Sequence, residues 1–303
     1  MCSNPTELAE VIPLAPPLTR ALSVFRPVVV DDLIRLGRDG DGGYVVSARS
    51  IDKADVLVGL GINDEWSFEE AFLARRPHAK IYAVDGSVSL EVFKQRRTAN
   101  LLKALASGIR MRRWLTRHHL ATARKWSQTA RDFRRLFDQP GRHFIGSMIR
   151  EPGYPGLTWA ELVARIDADA RSDTAPHPTL FVKMDIEGAE YLVVPMLIAD
   201  AARITGMAIE FHYTHRSWER LYEQLQLLLQ HFVVVHAHGN NFVQPNADST
   251  LPRALEVTFA NRSLITPREL DVINNRTYPL DGLDFANNAG VADIALDFGR
   301  PSA

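Results

Sequence analysis

Short apolar runs alternate along this chain with longer segments in which apolar residues recur every three or four positions. The runs are too short for helices of their own and are typical of buried parallel strands. They fall at residues 55–59, 80–84, 143–147, 179–184 and 205–211. The amphipathic segments that follow cover residues 65–74, 90–137, 188–198 and 218–229. Thr158 and Glu161 form a capping box that starts one further helix. Five strand–helix units are therefore predicted.

Two more apolar runs, at residues 232–238 and 254–259, follow the fifth unit. The chain between them has no room for a helix, so we expect these two strands to run antiparallel. The whole pattern predicts an α/β fold, namely a Rossmann-like, mainly parallel seven-stranded sheet with a C-terminal antiparallel hairpin and helices on both faces. The residues after Asn261 carry too weak a pattern to assign.

The first fifty residues differ in pattern from the rest. Residues 1–30 are rich in proline and indicate an arm, and an Asp- and Gly-rich turn at residues 39–43 between two apolar runs predicts a hairpin. We therefore expect an N-terminal arm and hairpin at residues 1–51 and a main domain at residues 52–303. That domain contains a basic helical insertion at residues 94–140.

The composition is that of an ordinary globular protein, since 46% of the 303 residues are hydrophobic, 23% are charged and the formal net charge is −1. This balance predicts no nucleic-acid and no membrane partner. No apolar run approaches the roughly 18 residues of a membrane span, and the first ten residues lack the pattern of a signal peptide. The single cysteine, Cys2, excludes an internal disulfide framework and fits a reducing compartment. We therefore expect a cytoplasmic location.

Positive charge is concentrated in one segment. Residues 94–150 hold fifteen Lys and Arg but only two acids, Asp132 and Asp138. Such a segment can attract anions. Because leucines at helical spacing accompany the charges from Leu90 to Leu105, we expect a helical face beside the site entrance or a contact in a homo-oligomer, and not a nucleic-acid surface.

A glycine-rich turn follows the first strand of the main domain, where the chain reads Gly59-Leu60-Gly61-Ile62-Asn63. Glycines there let the backbone approach a ligand closely. Asp85 ends the next strand, at the spacing of an acid that accepts hydrogen bonds from ribose hydroxyls. We therefore predict that the cofactor contacts Gly59, Gly61, Asn63, Asp85, Gly86 and Ser87.

This spacing fits either a dinucleotide or S-adenosylmethionine. The third glycine of the dinucleotide fingerprint is absent, because Asp64 occupies its place. Asp64 and Glu65 at the start of the helix would repel a pyrophosphate. They suit a cofactor with an amino group and a sulfonium, so these residues favour the methyl donor.

Polar side chains also end the later strands, at the edge where open α/β sheets bind ligands. Asp185 ends the fourth strand, Glu210 and His212 the fifth, and His236 and His238 the sixth. Carboxylates and imidazoles can hold Mg²⁺ or Mn²⁺, and such an ion lowers the pKa of a bound hydroxyl. We predict metal ligation by Asp185, Glu210 and His238. Alternatively, His212 or His238 acts as a general base beside Asp185. For His236 we expect a structural role.

The sequence Asp185-Ile186-Glu187-Gly188-Ala189-Glu190, after an apolar strand that carries Lys183, resembles the hallmark of the FkbM-type methyltransferases. Further similar segments are Asp41-Gly42-Gly43-Tyr44, Asp85-Gly86-Ser87, Ile209-Glu210-Phe211-His212 and His236-Ala237-His238-Gly239-Asn240-Asn241. The resemblance implies S-adenosylmethionine as cofactor and a hydroxyl acceptor on a sugar or natural-product-like small molecule or glycan. The chain departs from the family at Leu57, where an acid is common, and in its basic insertion.

Three other readings remain open at this stage. An NAD-dependent oxidoreductase would bind a reduced nicotinamide, and the acidic turn argues against it. A non-enzymatic nucleic-acid-binding protein would use the arginine-rich segment and would bind RNA or DNA with strong salt dependence. An inactive methyltransferase-like scaffold is the third reading.

Overall fold

The computed structural model describes residues 18–170, 177–242, 244 and 251–298. Much of the predicted N-terminal arm, including Cys2, lies outside the described residues. The strands are β1 Leu33–Leu36, β2 Tyr44–Ser47, β3 Val56–Leu60, β4 Lys80–Val84, β5 Arg142–Ile145, β6 Leu180–Met184, β7 Ile204–His212, β8 Phe232–Gly239 and β9 Ala254–Asn261. The helices are α1 Ala48–Asp52, α2 Ser67–Arg75, α3 Leu90–Ile109, α4 Arg113–Phe137, α5 Trp159–Ala170, α6 Glu190–Leu197, α7 Trp218–Leu229 and α8 Pro267–Leu270.

Seven strands form one sheet in the order β5-β4-β3-β6-β7-β9-β8. The first five strands in this order, from β5 to β7, run parallel to one another, and β9 lies antiparallel to both β7 and β8. The predicted fold class, with its one reversed strand, is therefore confirmed. The chain builds outward from β3 in one direction and from β6 in the other, so the strand order reverses between these two strands. Such a point opens a crevice at the carboxyl ends of the strands.

Helices cover both faces of this sheet, because its central strands are apolar on both sides. Val56 and Val58 of β3 face the cluster that contains the apolar side chains of α5, α6 and α7. Leu57 faces the opposite cluster, which includes Phe72 of α2 and Phe133 of α4. Alternate residues of a strand point to opposite faces, so one buried strand contributes to two cores.

The long helical stretch predicted over residues 90–137 consists of two helices, α3 and α4, which fold back on each other. The chain turns at Met111, whose φ is +52°, and the N–H of Arg112 donates to the carbonyl of Ser107 at 2.9 Å. Gly108 weakens the helix just before the turn, since glycine costs about 1 kcal/mol relative to alanine. Ala104 on α3 and Ala123 on α4 are both buried, and small side chains of this kind let two helices pack closely.

Two other boundaries refine the prediction. The capping box is confirmed, since Thr158 Oγ1 accepts from the N–H of Glu161 at 3.2 Å and Glu161 accepts from the N–H of Thr158 at 2.9 Å. The helix expected from Gly188 begins only at Glu190, because Glu187 and Gly188 have φ values of +56° and +101°. Left-handed backbone cannot continue into a right-handed helix, so these residues form a turn.

The predicted hairpin is present as β1 and β2, which pair antiparallel. Arg35 fills its turn and donates to the carbonyls of Arg38, Gly40 and Gly43 at 3.0, 2.8 and 3.2 Å. These bonds fix the shape of the turn, and an ion pair of Arg38 with Glu65 at 2.9 Å holds it against the carboxyl edge of the sheet. Among the described residues, no helix is long and apolar enough to cross a membrane.

Candidate active site

The glycine-rich turn after β3 packs directly against the end of β6. Gly61 has a φ of +75°, and a Cβ there would lie 1.8 Å from the carbonyl oxygen of Asp185. The N–H of Asp185 donates to the carbonyl of Leu60 at 2.9 Å. Only glycine allows this approach, which brings the predicted cofactor turn and the predicted catalytic strand end into contact.

Asp85 holds the same turn from the other side. Its Oδ2 accepts from the N–H groups of Ile62 and Asn63 at 3.0 and 2.8 Å, and its Oδ1 accepts from the N–H and hydroxyl of Ser87, both at 2.6 Å. These four bonds use the ordinary acceptor capacity of a carboxylate. Asp85 therefore positions the turn in this structure, and its predicted contact with a ribose stays a prediction.

A cavity of about 260 Å³ lies at the carboxyl edge between β3, β4 and β6. Five of the six predicted cofactor residues line it, and they are Gly61, Asn63, Asp85, Gly86 and Ser87. Gly59 lies within β3, where a Cβ would meet Glu69 Oε1 at 3.0 Å. The cavity is also lined by Asp41, Glu65, Asp185, Glu187 and a single cation, Lys183. Its charged lining is thus strongly acidic.

Lys183 is a buried cation beneath the cavity. Its Nζ donates to the carbonyl of Gly61 at 3.2 Å and lies 5.8 Å from the centre of the Tyr44 ring. Glu69, fully buried, has no hydrogen-bond partner for either carboxylate oxygen within the part of the chain that the structure describes. Burial raises the pKa of Glu69, and the charge of Lys183 only partly opposes this.

Three side chains converge beside the cavity at the ends of β6 and β7. Ligand atoms of Asp185, Glu187 and His212 lie within 4.8 Å of one another. Nε2 of His212 is 3.8 Å from Oδ1 of Asp185 and 3.5 Å from Oε2 of Glu187. The left-handed turn at Glu187 is what separates this carboxylate from the helix that follows. Two carboxylates and one imidazole form a donor set for a divalent cation.

A buried carboxylate supports His212 from behind. Nδ1 of His212 lies 2.9 Å from Oε1 of Glu190, and that oxygen also accepts from the N–H of Ile186 at 3.1 Å. Tyr191 donates its hydroxyl to the carbonyl of His212 at 2.7 Å. Nδ1–H therefore donates to Glu190, and Nε2 is directed at Asp185 and Glu187. Metal-binding histidines are held in this way by carboxylates.

The charges of this cluster are coupled. Burial disfavours a charged His212, but the hydrogen bond to Glu190 and the nearby charge of Glu210 outweigh it and raise the pKa of His212 to about 9. Burial raises the pKa of Asp185 to about 6, against the opposing charges of Lys183 and His212. The carboxylates around His212 thus favour its charged form, which offsets part of their negative charge.

The other predicted ligands do not join this group. Both ring nitrogens of His238 contact carboxylates, Nδ1 at 3.3 Å from Glu256 and Nε2 at 3.0 Å from Asp293. Glu210 accepts from Nδ2 of Asn240 at 2.7 Å and faces Glu256 across the β7–β9 pair. The structure thus brings together Asp185 and His212, with Glu187 added, and leaves His238 in a separate buried network. Burial and the charge of Asp185 raise the pKa of Glu210 well above its usual range.

His236 has the structural surroundings that its pattern predicts. It lies 3.1 Å from Asp284, a residue of the segment after β9, and both side chains are buried. The residues that sequence reasoning missed are of two kinds. Glu187 and Glu190 are part of the motif but have no predicted role as ligands there, whereas Asp284 and Asp293 lie in a segment with no regular pattern.

Comparison with known proteins finds weak similarity to solved structures only. No protein-family model matches the sequence, and no curated protein sequence matches it. One solved structure to which the chain is similar is precorrin-6y C5,15-methyltransferase from Geobacter metallireducens GS-15, with 11% identity, a TM-score of 0.32, and coverage of 71% of this chain and 87% of that chain. Another is 16S rRNA (adenine(1408)-N(1))-methyltransferase from Catenulisporales acidiphilia, with 11% identity, a TM-score of 0.28, and coverage of 75% and 97%.

A third is the mitomycin 7-O-methyltransferase MmcR, with 12% identity, a TM-score of 0.26, and coverage of 80% of this chain and 53% of that chain. At these identities and TM-scores the three similarities carry no argument about this chain, whose fold is read from its own strand order and register. The activity has to be argued from the site.

Proposed function

We propose that this protein is an S-adenosylmethionine-dependent O-methyltransferase that acts on a hydroxyl of a sugar or natural-product-like small molecule, as its resemblance to the FkbM-type enzymes implies. The observation that carries the proposal is the charge of the cavity at the strand-order reversal. The cofactor must bind there if the fold is used in its ordinary way. The lining therefore selects among cofactors.

The cavity lining holds five carboxylates, from Asp41, Glu65, Asp85, Asp185 and Glu187, against one ammonium group. A dinucleotide would bring two phosphate charges into this site, and like charges at close range in a partly buried site are strongly unfavourable. S-adenosylmethionine brings an ammonium and a sulfonium, which acids stabilise. The acidic lining thus supports the methyl donor over NAD, in line with the acidic turn in the sequence.

The remaining lining suits the other parts of this cofactor. Val84, Met148 and Ile149 form an apolar wall fit for a purine ring. Asn63 and Ser87 add polar groups beside the glycine turn. When bound, S-adenosylmethionine supplies an electrophilic methyl group, and the protein has to bind it, exclude water and present an acceptor oxygen.

Presenting that oxygen falls to the cluster beside the cavity. We infer that Asp185, Glu187 and His212 hold a Mg²⁺ or Mn²⁺ ion, with Glu190 fixing the ring of His212. This revises the set expected from sequence, in which Glu210 and His238 stood beside Asp185. An ion at this place would lower the pKa of an acceptor hydroxyl, which is otherwise a poor nucleophile at neutral pH. The donor set, two carboxylate oxygens and one supported imidazole nitrogen, is the observation that favours it.

Cofactor choice is tested by isothermal titration calorimetry of the full chain with S-adenosylmethionine and with NADH. We expect binding of the first and none of the second. Asp85→Ala should weaken S-adenosylmethionine binding at least about tenfold, because it removes the four hydrogen bonds by which this carboxylate holds the turn and Ser87 beside the cavity. Asp281→Ala, at an exposed site in the segment after β9, is the matched control. Binding of NADH alone would contradict the proposal.

Metal binding is tested without reference to turnover. Mn²⁺ titration followed by electron paramagnetic resonance should give one site, which His212→Ala weakens at least about tenfold. His231→Ala, at an exposed histidine before β8, should leave the affinity unchanged. If Mn²⁺ does not bind and EDTA leaves turnover intact, the proposed metal site is wrong. The side chains of the cluster would then have to remove the proton, and the proposal of S-adenosylmethionine as methyl donor would be unaffected.

A further inference from the structure

The two-helix insertion ends in an exposed apolar surface. We define the hairpin tip as residues 101–120, the end of α3, the turn and the start of α4. On α3, Leu102, Leu105 and Ile109 recur at helical spacing and are 62%, 63% and 75% exposed. Met111 in the turn and Trp114 on α4 are 86% and 74% exposed. We call these five exposed side chains the apolar stripe of the tip, and a group of large apolar side chains on solvent marks an interaction site.

The hairpin tip projects from the same edge of the sheet as the cavity. α3 starts beyond the carboxyl end of β4 and leads the chain away from the sheet. Because β5 is parallel to β4, α4 has to bring the chain back to the amino end of β5 and therefore runs antiparallel to the strands. Lys125 of α4 pairs with Asp64 in the turn after β3 at 2.9 Å. Twelve residues separate Lys125 from the start of α4, which places the tip about 18 Å past the cavity edge at 1.5 Å per residue.

The hairpin tip is also strongly basic. No acid occurs from residue 92 to residue 131. Lys103, Arg110, Arg112, Arg113 and Arg117 of the tip, and Arg124 just beyond it, are all exposed. Within the described residues, none of these six side chains takes part in an ion pair shown by the structure, whereas Lys94, Lys125 and Arg135 nearer the base do. The positive charge of the tip is therefore free to meet an anionic partner.

We propose that the hairpin tip docks onto an anionic membrane surface. The stripe from Leu102 to Trp114 enters the boundary between headgroups and acyl chains, and the arginines contact lipid phosphates. Apolar side chains and arginines on one projecting element are the combination that lies in such an interface. Tryptophan prefers this depth, and each basic residue near the surface contributes about 1 kcal/mol. Whole-chain charge predicted no membrane partner because it averages this segment with acids elsewhere.

Two other partners fit the surface less well. A second copy of the chain would bury the apolar stripe but would bring two clusters of unpaired arginines together, which costs energy unless acids intervene. Nucleic acid would meet the arginines, but Leu102, Leu105 and Ile109 offer no groups that contact phosphates or stack on bases. Both alternatives are outcomes of the test.

The test uses the full chain and co-sedimentation with two kinds of vesicle, phosphatidylcholine alone and phosphatidylcholine mixed with phosphatidylglycerol. We expect binding to the mixed vesicles that weakens as salt is raised. The triple variant Arg110→Gln, Arg112→Gln and Arg113→Gln should bind about 100-fold more weakly, from about 1 kcal/mol per arginine. The control triple Arg131→Gln, Arg134→Gln and Arg268→Gln removes the same charge at exposed sites outside the tip and should retain binding.

The apolar contribution has its own variant. Trp114→Ala should weaken binding to the mixed vesicles at least about tenfold. Tyr154→Ala removes a 66% exposed aromatic side chain outside the hairpin and should have no effect. Circular dichroism confirms that each variant is folded.

Absence of binding to the mixed vesicles, or equal loss in both arginine triples, would overturn the proposal. Self-association in analytical ultracentrifugation that Trp114→Ala abolishes, in a protein that does not bind vesicles, would also overturn it. Tighter binding to a random oligonucleotide than to the vesicles would do the same.

Discussion

Replacing His238 by leucine should destabilise the protein by about 3 kcal/mol at pH 7, the lower end of the cost of breaking a buried ion pair. His238 is 2% exposed and joins β8 to two carboxylates, Glu256 on β9 and Asp293 in the segment that follows. Leucine has a similar volume but no hydrogen-bonding group. The substitution therefore removes the cation and leaves two acids near each other.

The magnitude follows from the surroundings of the imidazole. Burial disfavours its charged form, but hydrogen bonds to Asp293 and Glu256 outweigh burial and raise its pKa from 6.5 to about 10. At about 1.36 kcal/mol per pKa unit this sets an upper limit of about 5 kcal/mol. The loss is smaller because the acids keep other partners. Glu256 still accepts from Asn287 at 2.6 Å, and Asp293 is partly exposed and accepts from the N–H of Ile294 at 2.8 Å.

The raised pKa of His238 also determines whether its contribution to stability rises or falls with pH. The pKa of His238 is higher in the folded protein than in the unfolded chain, so the folded state binds this proton more tightly. Its contribution to stability is complete below pH 6.5 and is lost as the pH rises through about 10. The stability difference between the wild type and His238→Leu should shrink over the same range.

Urea unfolding followed by circular dichroism at several pH values from 6 to 10 measures this difference. His231→Leu, at an exposed histidine, should change stability by less than about 0.5 kcal/mol. Mn²⁺ affinity of His238→Leu, measured on folded protein, should equal that of the wild type. A loss below about 1 kcal/mol, or one independent of pH, would refute the ion-pair account, and a large loss of Mn²⁺ affinity would restore His238 as a ligand.

Three further predictions concern the cavity. Gly61→Ala should abolish S-adenosylmethionine binding in calorimetry, because the added Cβ would lie 1.8 Å from the carbonyl of Asp185; binding at wild-type affinity would contradict the packing. Glu190→Gln should weaken Mn²⁺ binding about 10- to 100-fold by removing the support of His212, because loss of a carboxylate that orients a metal-binding histidine has effects of that size; unchanged affinity would rule out that support. Glu69→Gln should raise the melting temperature at pH 8 more than at pH 5. The raised pKa of Glu69 means that its ionisation destabilises the fold as the pH rises; equal shifts at the two pH values would contradict this.

Much of the fold could be predicted because burial leaves a local trace. Strands β3, β4 and β6 are short apolar runs that end in Gly or Asp, and each lies within about one residue of its predicted position. The turn at Met111 left almost no trace, since leucine, alanine and arginine on both sides are good helix formers.

The candidate site was harder to predict because its geometry depends on backbone conformation and on long-range contacts. Asp185 and His212 end adjacent strands, so their proximity follows from the sheet. Glu187 joins them only because its backbone is left-handed, which a run of Ile-Glu-Gly does not require. His238 does not join them and instead contacts Asp293, which lies 55 residues further along the chain in a segment without periodicity.

The way in which α3 and α4 share one crossover leaves the length of this pair open to evolutionary change. The chain leaves the sheet after β4 and rejoins it before β5 at the same two places, whatever the number of turns between them. Between Lys125 and the hairpin tip, α3 and α4 pack on each other. Losing one turn from each helix would therefore draw the tip back by about 5 Å without altering the sheet. Matched insertions and deletions in descendants of this gene can therefore tune reach while the chemistry stays constant.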